Sequence, residues 1–370
     1  MRVLHFFKTY WPDTFGGVER TISAIASATR DLGIDTSVLS LSRTPEEATT
    51  VFEGHRAVKA RLDLELASTG FSREVFSTFS REAAEADLVH YHFPWPFMDL
   101  VHFAVRHGKP SLVTYHSDIV KQRTLKHAYA PLMNGFLDRV DAIVATSPPY
   151  LETSPVLRRY RDKTSIIAIG LDEKAYPKPQ AERLASWRSR QAKPFFLFAG
   201  VLRYYKGLDV LIRAAGQTHA DIVIVGAGPI EGELKRQATA FRAHNLHFVG
   251  PVDDADKMAL HALSSGFVFP SNQRSEAFGL ALLEAAMMGR PMISTELGTG
   301  TSYVNAHRET GIVVAPDDPD ALAAAMNEIL AEPQKAAQWG RAARQRFSNL
   351  FTVKTMGEAY ADLYRSLVRS

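Results

Sequence analysis

Two glutamates frame an otherwise apolar stretch, "SEAFGLALLEAAMMGRP" at residues 275 to 291, with Glu276 at its mouth and Glu284 inside its apolar run. The preceding "GFVFP" reads as a buried strand, "SNQRSEAFG" as the loop leaving its carboxyl end, and the segment from about Phe278 to Met288 as a helix apolar on most sides. Amides at such a helix start lack intrahelical acceptors, so those of Phe278, Gly279 and Leu280, with Ala277 just ahead, suit an anionic group. Gly279 lets a ligand approach the backbone. Two carboxylates around an amide nest are hydroxyl acceptors around a phosphate, which is how a nucleotide sugar would be held. The plainer alternative is a capping Glu276 and a solvated Glu284 on a half-exposed helix.

Such residues act only where folded elements bring them together. Short β-branched or aromatic runs alternate with amphipathic stretches: "RVLHFF", "IDTSVLSLS", "DLVHYHF", "SLVTYH", "DAIVATS" and "TSIIAIG", then "FFLFAG", "DIVIVGAG", "LHFVG", "GFVFP", "PMIST" and "GIVVAP". This is the pattern of two doubly wound parallel sheets in tandem. Between them "LDEKAYPKPQAERLASWRSRQAKP" has poor periodicity and three prolines, and it is the expected linker. The tail from about residue 318 reads as helical. Its last part, "VKTMGEAYADLYRSLVR", is long enough to reach back to the first domain.

Ligands of open α/β sheets bind at the carboxyl ends of strands. "FGGVER" follows the first strand and opens a helix, so Gly16 and Gly17 expose amides toward a diphosphate; a mere tight turn is the alternative. His116 ends the strand "SLVTYH", with Asp118 close behind. "GAGPIE" at residues 226 to 231 lacks the third glycine of a dinucleotide fingerprint, so Gly226 and Gly228 read as a tight strand-to-helix turn beside a nucleotide.

Composition narrows the class further. The chain has 370 residues, 46% of them hydrophobic, no cysteine and a formal charge of +3. That is material for two domains, excludes a disulfide framework and thiolate metal sites, and gives no charge-based case for nucleic acid. A cytoplasmic location is expected, with any membrane contact peripheral.

Together, "SEAFGLALLEAAMMGRPMIST" with its E-x7-E spacing, "FAGVLRYYKGLDVLIRAA", "IVGAGP", "LHFVGPV", "GTGTSYVN" with "ETGIVVAPDDPDALA", and, in the first half, "FGGVER" and "TYHSD" closely resemble the blocks of retaining glycosyltransferases of family 4. The resemblance implies the α/β GT-B fold, two Rossmann-like domains facing each other across a cleft, with the C-terminal helix returning to the first. It implies an acceptor-binding domain at 1–170 plus about 352–370 and a nucleotide-sugar donor domain at 171–351. By the same likeness Glu276 accepts from donor-sugar hydroxyls, the Phe278 and Gly279 amides hold sugar or diphosphate oxygens, and Glu284 holds the ribose. Lys206 neutralises the departing diphosphate, His116 lies near the reacting sugar, and backbone groups near Val252 read the base. Where the family has Arg directly after the first Gly of "GVLRYYKG", this chain has Val201, which leaves Arg203 as the expected second cation.

Retention through a same-face mechanism, without cofactor or metal, follows from the likeness. "GTGTSYVN" is of a type associated with bacterial enzymes that add D-mannose or D-rhamnose from GDP-sugars to a lipid-linked O-antigen chain at the inner membrane face. A basic face formed by Lys121, Arg123, Lys126 and His127, with Arg106, His107 and Lys109 upstream, fits an anionic lipid surface or plain solvent equally well. A nucleotide-sugar epimerase of the same fold and a non-catalytic glycan-binding protein are the other classes compatible with these motifs.

Overall fold

In the computed structural model, residues 1–45, 49–66, 69–119 and 123–369 are described, with the backbone alone for 123–128. The expected lipid-facing cations Lys121, Arg123, Lys126 and His127 therefore lie outside the described residues or side chains. The chain forms two compact units, one of Met1–Gly170 with Val353–Ser370 and one of Leu171–Thr352.

The first unit carries β1 (Arg2–Phe6), β2 (Asp35–Ser42), β3 (Thr49–Phe52), β4 (His55–Arg61), β5 (Leu64–Leu66), β6 (Thr69–Phe71), β7 (Leu88–Phe93), β8 (Ser111–Tyr115), β9 (Ala142–Ala145) and β10 (Thr164–Ile166). Eight of these form a sheet in the order β10-β9-β8-β7-β1-β2-β4-β3, parallel except for β3 against β4, while β5 and β6 pair apart. The sequence reading missed the β3–β4 hairpin. Its turn is Glu53–Gly54, both at positive φ (47° and 82°), and Glu is not a residue that advertises such a turn.

The chain order reverses between β1 and β7, which places a crevice at their carboxyl ends. The Val353–Arg369 helix packs on the Gly17–Arg30 helix so closely that a Cβ on Gly357 would fall 2.4 Å from that of Ala28. Its buried Met356, Tyr360, Ala361 and Tyr364 recur at helical spacing, which explains why this tail joins the first unit.

The second unit carries β11 (Phe195–Ala199), β12 (Asp221–Val225), β13 (Leu246–Gly250), β14 (Gly266–Phe269), β15 (Met292–Thr295) and β16 (Gly311–Val314), all parallel in the order β13-β12-β11-β14-β15-β16. Its reversal lies between β11 and β14. The loops after those two strands are therefore neighbours, and they carry Lys206 and Glu276. The segment expected as a linker belongs to this unit instead. Ala181–Arg190 is a helix whose buried Trp187 donates to Asp256 at 2.9 Å, beside an Arg183–Asp256 ion pair at 3.0 Å. One aromatic anchor and the Arg183 ion pairs to Asp256 and Asp253 hold a helix too polar to show periodicity.

Candidate functional site

Three glycines bring the loops of the second unit together. Gly226 and Gly228 sit against the backbone of the loop after β11, so that a Cβ would fall 2.0 Å from the Gly200 carbonyl oxygen and 2.3 Å from that of Leu202. The smallness of Gly228 thus serves contact between loops. Gly207 lies at φ 65° with a would-be Cβ 1.9 Å from the Pro270 carbonyl oxygen, a place open only to glycine. The Asn272 amide donates to the Tyr205 carbonyl at 3.0 Å, joining the two loops.

The result is an ion pair. Lys206 Nζ donates to Glu276 at 2.5 Å, its ammonium 4.6 Å from the centre of the Phe269 ring, and the two side chains keep 12% and 11% of their exposure. Sequence reasoning gave these residues separate duties; the fold first gives each the other. Tyr205 alongside is pushed up to about 12 by burial and by the Glu276 charge. Arg203 is exposed just ahead of the Tyr204–Lys206 turn, and Val201 is 52% exposed.

Beyond Glu276, the helix begins at Leu280, two residues later than expected, because Gly279 turns the chain at φ 89°. The "GTGT" block, read from sequence as a mark of substrate class, braces this loop. Thr299 donates its hydroxyl to the Glu276 carbonyl at 2.9 Å, and the Gly300 amide donates to the Ala277 carbonyl at 2.8 Å. With those carbonyls turned inward, the amides of Phe278, Gly279 and Leu280 have no acceptor among the described residues. The Phe278 side chain is buried and packs edge-on to Phe351, so only its backbone is left for a ligand. Val252 is half-buried just after β13.

Glu284 does not stand alone either. Its Oε1 accepts from Lys257 Nζ at 2.8 Å and from the Tyr176 hydroxyl at 3.1 Å. Burial draws the Lys257 ammonium downward, but the Glu284 charge and hydrogen bond outweigh it and leave its pKa raised. Both partners escaped sequence reasoning. Tyr176 lies in the segment read as linker, and Lys257 lies in the "DDADK" helix start, where a lysine looks solvated.

In the first unit, Gly16 caps the Gly17–Arg30 helix, and Glu19 in its first turn is buried. The Glu19 carboxylate accepts from Thr9 at 2.7 Å and Thr14 at 2.6 Å, and its other oxygen would lie 3.0 Å from a Cβ on Gly16. This helix start therefore already holds a negative charge, which the glycine pair alone did not reveal. Of the upstream basic residues, His107 bonds to the Tyr91 hydroxyl at 2.9 Å and Lys109 donates to the Ala84 carbonyl at 3.3 Å, which leaves Arg106 exposed.

His116 follows β8 directly, and its Nε2 lies 2.9 Å from His92 Nδ1. Behind it, His5, His90 and His92 are fully buried, with ring nitrogens within 4.8 Å of one another. Such a trio has the composition of a metal site, yet all six nitrogens already have hydrogen-bond partners in the chain. The signal was legible: "VHYHF" puts His90 and His92 two apart, on one face of a strand.

Residues 180–346 match the family model described as glycosyl transferases group 1, and residues 15–175 match glycosyltransferase family 4. D-rhamnosyltransferase WbpZ of Pseudomonas aeruginosa is 56% identical over 352 residues, 95% of this chain and 92% of that protein. O-antigen chain mannosyltransferase C of Escherichia coli is 43% identical over 370 residues, covering 100% of both. Among solved structures, sucrose-phosphate synthase from Thermosynechococcus elongatus superposes with a TM-score of 0.81 at 23% identity, covering 100% of this chain and 99% of that one. Anabaena HepE in complex with UDP follows at 0.79 and 20%, covering 99% and 100%. At those identities the structures bear on the fold, which is GT-B.

Proposed function

This chain belongs to the glycosyltransferases of family 4, and on that premise we propose that it moves D-mannose or D-rhamnose from a GDP-linked donor to a growing O-antigen chain with retention of configuration. The observation that carries the proposal is the Lys206–Glu276 pair, set beside unpartnered amides at the Leu280 helix start. When a sugar nucleotide arrives, its diphosphate competes for the Lys206 ammonium. Glu276 is then released to accept hydrogen bonds from sugar hydroxyls. Glu284, aimed by Lys257 and Tyr176, accepts from the ribose. Ala277, Phe278, Gly279 and Leu280 offer backbone to the sugar and diphosphate, and Gly228 and Val252 flank the nucleoside.

As the anomeric carbon–oxygen bond to phosphate breaks, negative charge gathers on the diphosphate, where Lys206 and Arg203 stabilise it without a metal ion. The acceptor hydroxyl attacks from the face the phosphate leaves, and its proton passes to a phosphate oxygen, so the new bond is α. Glu19 makes the Gly16–Gly17 helix start better suited to hydroxyl-bearing groups than to a second phosphate contact. Support for the sugar and the acceptor comes from the two relatives, one named a D-rhamnosyltransferase and the other an O-antigen chain mannosyltransferase. A lipid-linked acceptor places the work at the cytoplasmic face of the inner membrane; no helix among the described residues is long and apolar enough to cross a membrane.

The test is incubation with GDP-mannose or GDP-rhamnose and a mannose- or rhamnose-ended acceptor, in the presence of EDTA, with the product read by its anomeric carbon–proton coupling. An α-linked product is expected. A β-linked product overturns retention, binding of UDP-sugars with none of GDP-sugars overturns the donor, and loss of activity in EDTA overturns the metal-free mechanism.

A further inference from the structure

We infer that a buried chain of hydrogen bonds, running from Tyr360 in the C-terminal helix through Thr114, His90, Tyr364, His5 and His92, fixes His116 as the neutral tautomer with its proton on Nδ1. His116 then meets a ligand as a hydrogen-bond donor. The links are Tyr360 to Thr114 at 2.8 Å, Thr114 to His90 Nε2 at 2.7 Å, and His90 Nδ1 to Tyr364 at 2.7 Å. They continue from Tyr364 to His5 Nε2 at 3.4 Å, His5 Nδ1 to His92 Nε2 at 2.9 Å, and His92 Nδ1 to His116 Nε2 at 2.9 Å. Every member between the two ends uses one atom or one nitrogen pair to pass a single hydrogen bond onward. Such a chain has two self-consistent polarities, and choosing one proton fixes all the rest.

The buried end decides between them. Tyr360 is 2% exposed, and its hydroxyl has one partner among the described residues, Thr114. If protons ran from His116 toward the helix, Thr114 would donate to Tyr360, and the phenol proton would be left buried without an acceptor, which native interiors avoid. In the opposite polarity every proton from Tyr360 through His92 is used. Tyr360 donates to Thr114, Thr114 to His90, His90 Nδ1–H to Tyr364, Tyr364 to His5, His5 Nδ1–H to His92, and His92 Nδ1–H to His116 Nε2. The remaining proton sits on His116 Nδ1, the one ring nitrogen of the series that has no partner among the described residues. Burial holds His5 and His116 near 3 and lowers His90 and His92 well below the ordinary value, so the chain is neutral at physiological pH.

For transfer, and here the inference rests on the glycosyltransferase reading, His116 donates to a sugar or phosphate oxygen and has no lone pair with which to deprotonate the acceptor. His92, His5, His90, Tyr364, Thr114 and Tyr360 act as positioning residues for it.

Long-range proton–nitrogen NMR on histidine-labelled protein at neutral pH tests this without any substrate, so the outcome stands apart from whether sugar is transferred. His116 is assigned by the signals lost in His116→Gln. A protonated Nδ1 and a bare Nε2 are expected in the wild type. Tyr364→Phe leaves His5 Nε2 unpartnered in either polarity, so His116 should shift to a mixture of tautomers. Should that variant fail to fold, Thr114→Val cuts the chain at His90 with the same expected loss. A wild-type His116 protonated on Nε2, an unchanged Nδ1 proton in either folded variant, or a stoichiometric metal bound by these imidazoles overturns the assignment.

Discussion

Removing one end of the Lys206–Glu276 pair should cost more stability than removing both. At 2.5 Å, with 12% and 11% of side-chain exposure left, neither charge has much water to fall back on. Breaking a buried pair from one side costs about 3–5 kcal/mol, and the small residual access to solvent at these loops brings the expectation to about 2–3 kcal/mol for Lys206→Met or Glu276→Gln. The double variant leaves no charge and lays a thioether over the Phe269 ring, where the ammonium now sits 4.6 Å from the centroid. Its cost should be about 1 kcal/mol. The two single losses, about 4–6 kcal/mol together, then exceed the double by about 3–5 kcal/mol, at or above the upper end for residues in contact. Urea unfolding of the four proteins without ligand measures the cycle. Transfer, measured in parallel, should fall by about a hundredfold or more in all three variants, since each loses charge stabilisation of the leaving group or a sugar contact. Stability that recovers in the double variant while activity does not is the signature of a functional pair held in a structural embrace. Single losses that simply add to the double refute the coupling, and near wild-type transfer in the double refutes the site.

Other expectations follow from neighbouring geometry. Gly207→Ala puts a Cβ 1.9 Å from the Pro270 carbonyl oxygen at a φ of 65°, and it should lower stability by about 1–3 kcal/mol and depress kcat by displacing Lys206; wild-type values of both would contradict the role given to this turn. Glu284→Ala should raise the donor KM by about tenfold with a smaller change in kcat, and Lys257→Met should move KM the same way through the 2.8 Å contact; an unchanged donor KM in both would remove the ribose assignment. Burial places His5, His116 and His261 near 3 and His90 and His92 well below their usual value, so at mildly acidic pH the unfolded chain binds protons that the folded chain does not. Their stabilisation is full above about pH 6.5 and is lost as pH falls toward 3, by up to about 1.4 kcal/mol per group per pH unit, while Asp99, raised by burial, opposes them with a single proton. Unfolding free energy should therefore be several kcal/mol lower at about pH 5.5 than at about pH 7.5, and an equal or higher value would show that these imidazoles are not buried neutral.

Residue order alone was enough to read the alternation of strands and helices in both halves, the E-x7-E frame of Glu276 and Glu284, and the presence of a lysine and paired glycines after strands. These are local properties: period, turn chemistry and residue type are written in adjacent positions. It could not say what each charged group faces. Glu276 and Lys206 are 70 residues apart, as are Trp187 and Asp256 nearly so, and their meeting depends on the reversal of strand order between β11 and β14 and on glycines thin enough to let loops touch. Likewise the "GTGT" block, legible only as a family mark, became a brace once its hydroxyl and amide were seen on the Glu276 and Ala277 carbonyls. The polar Ala181–Arg190 segment looked like a linker because its one anchor, Trp187, finds its partner in another helix. The histidine chain shows the same division most fully. Strand alternation made His90 and His92 neighbours, but only the packing of the last helix against the first unit supplied Tyr360 and Tyr364, and with them the direction in which every proton must point.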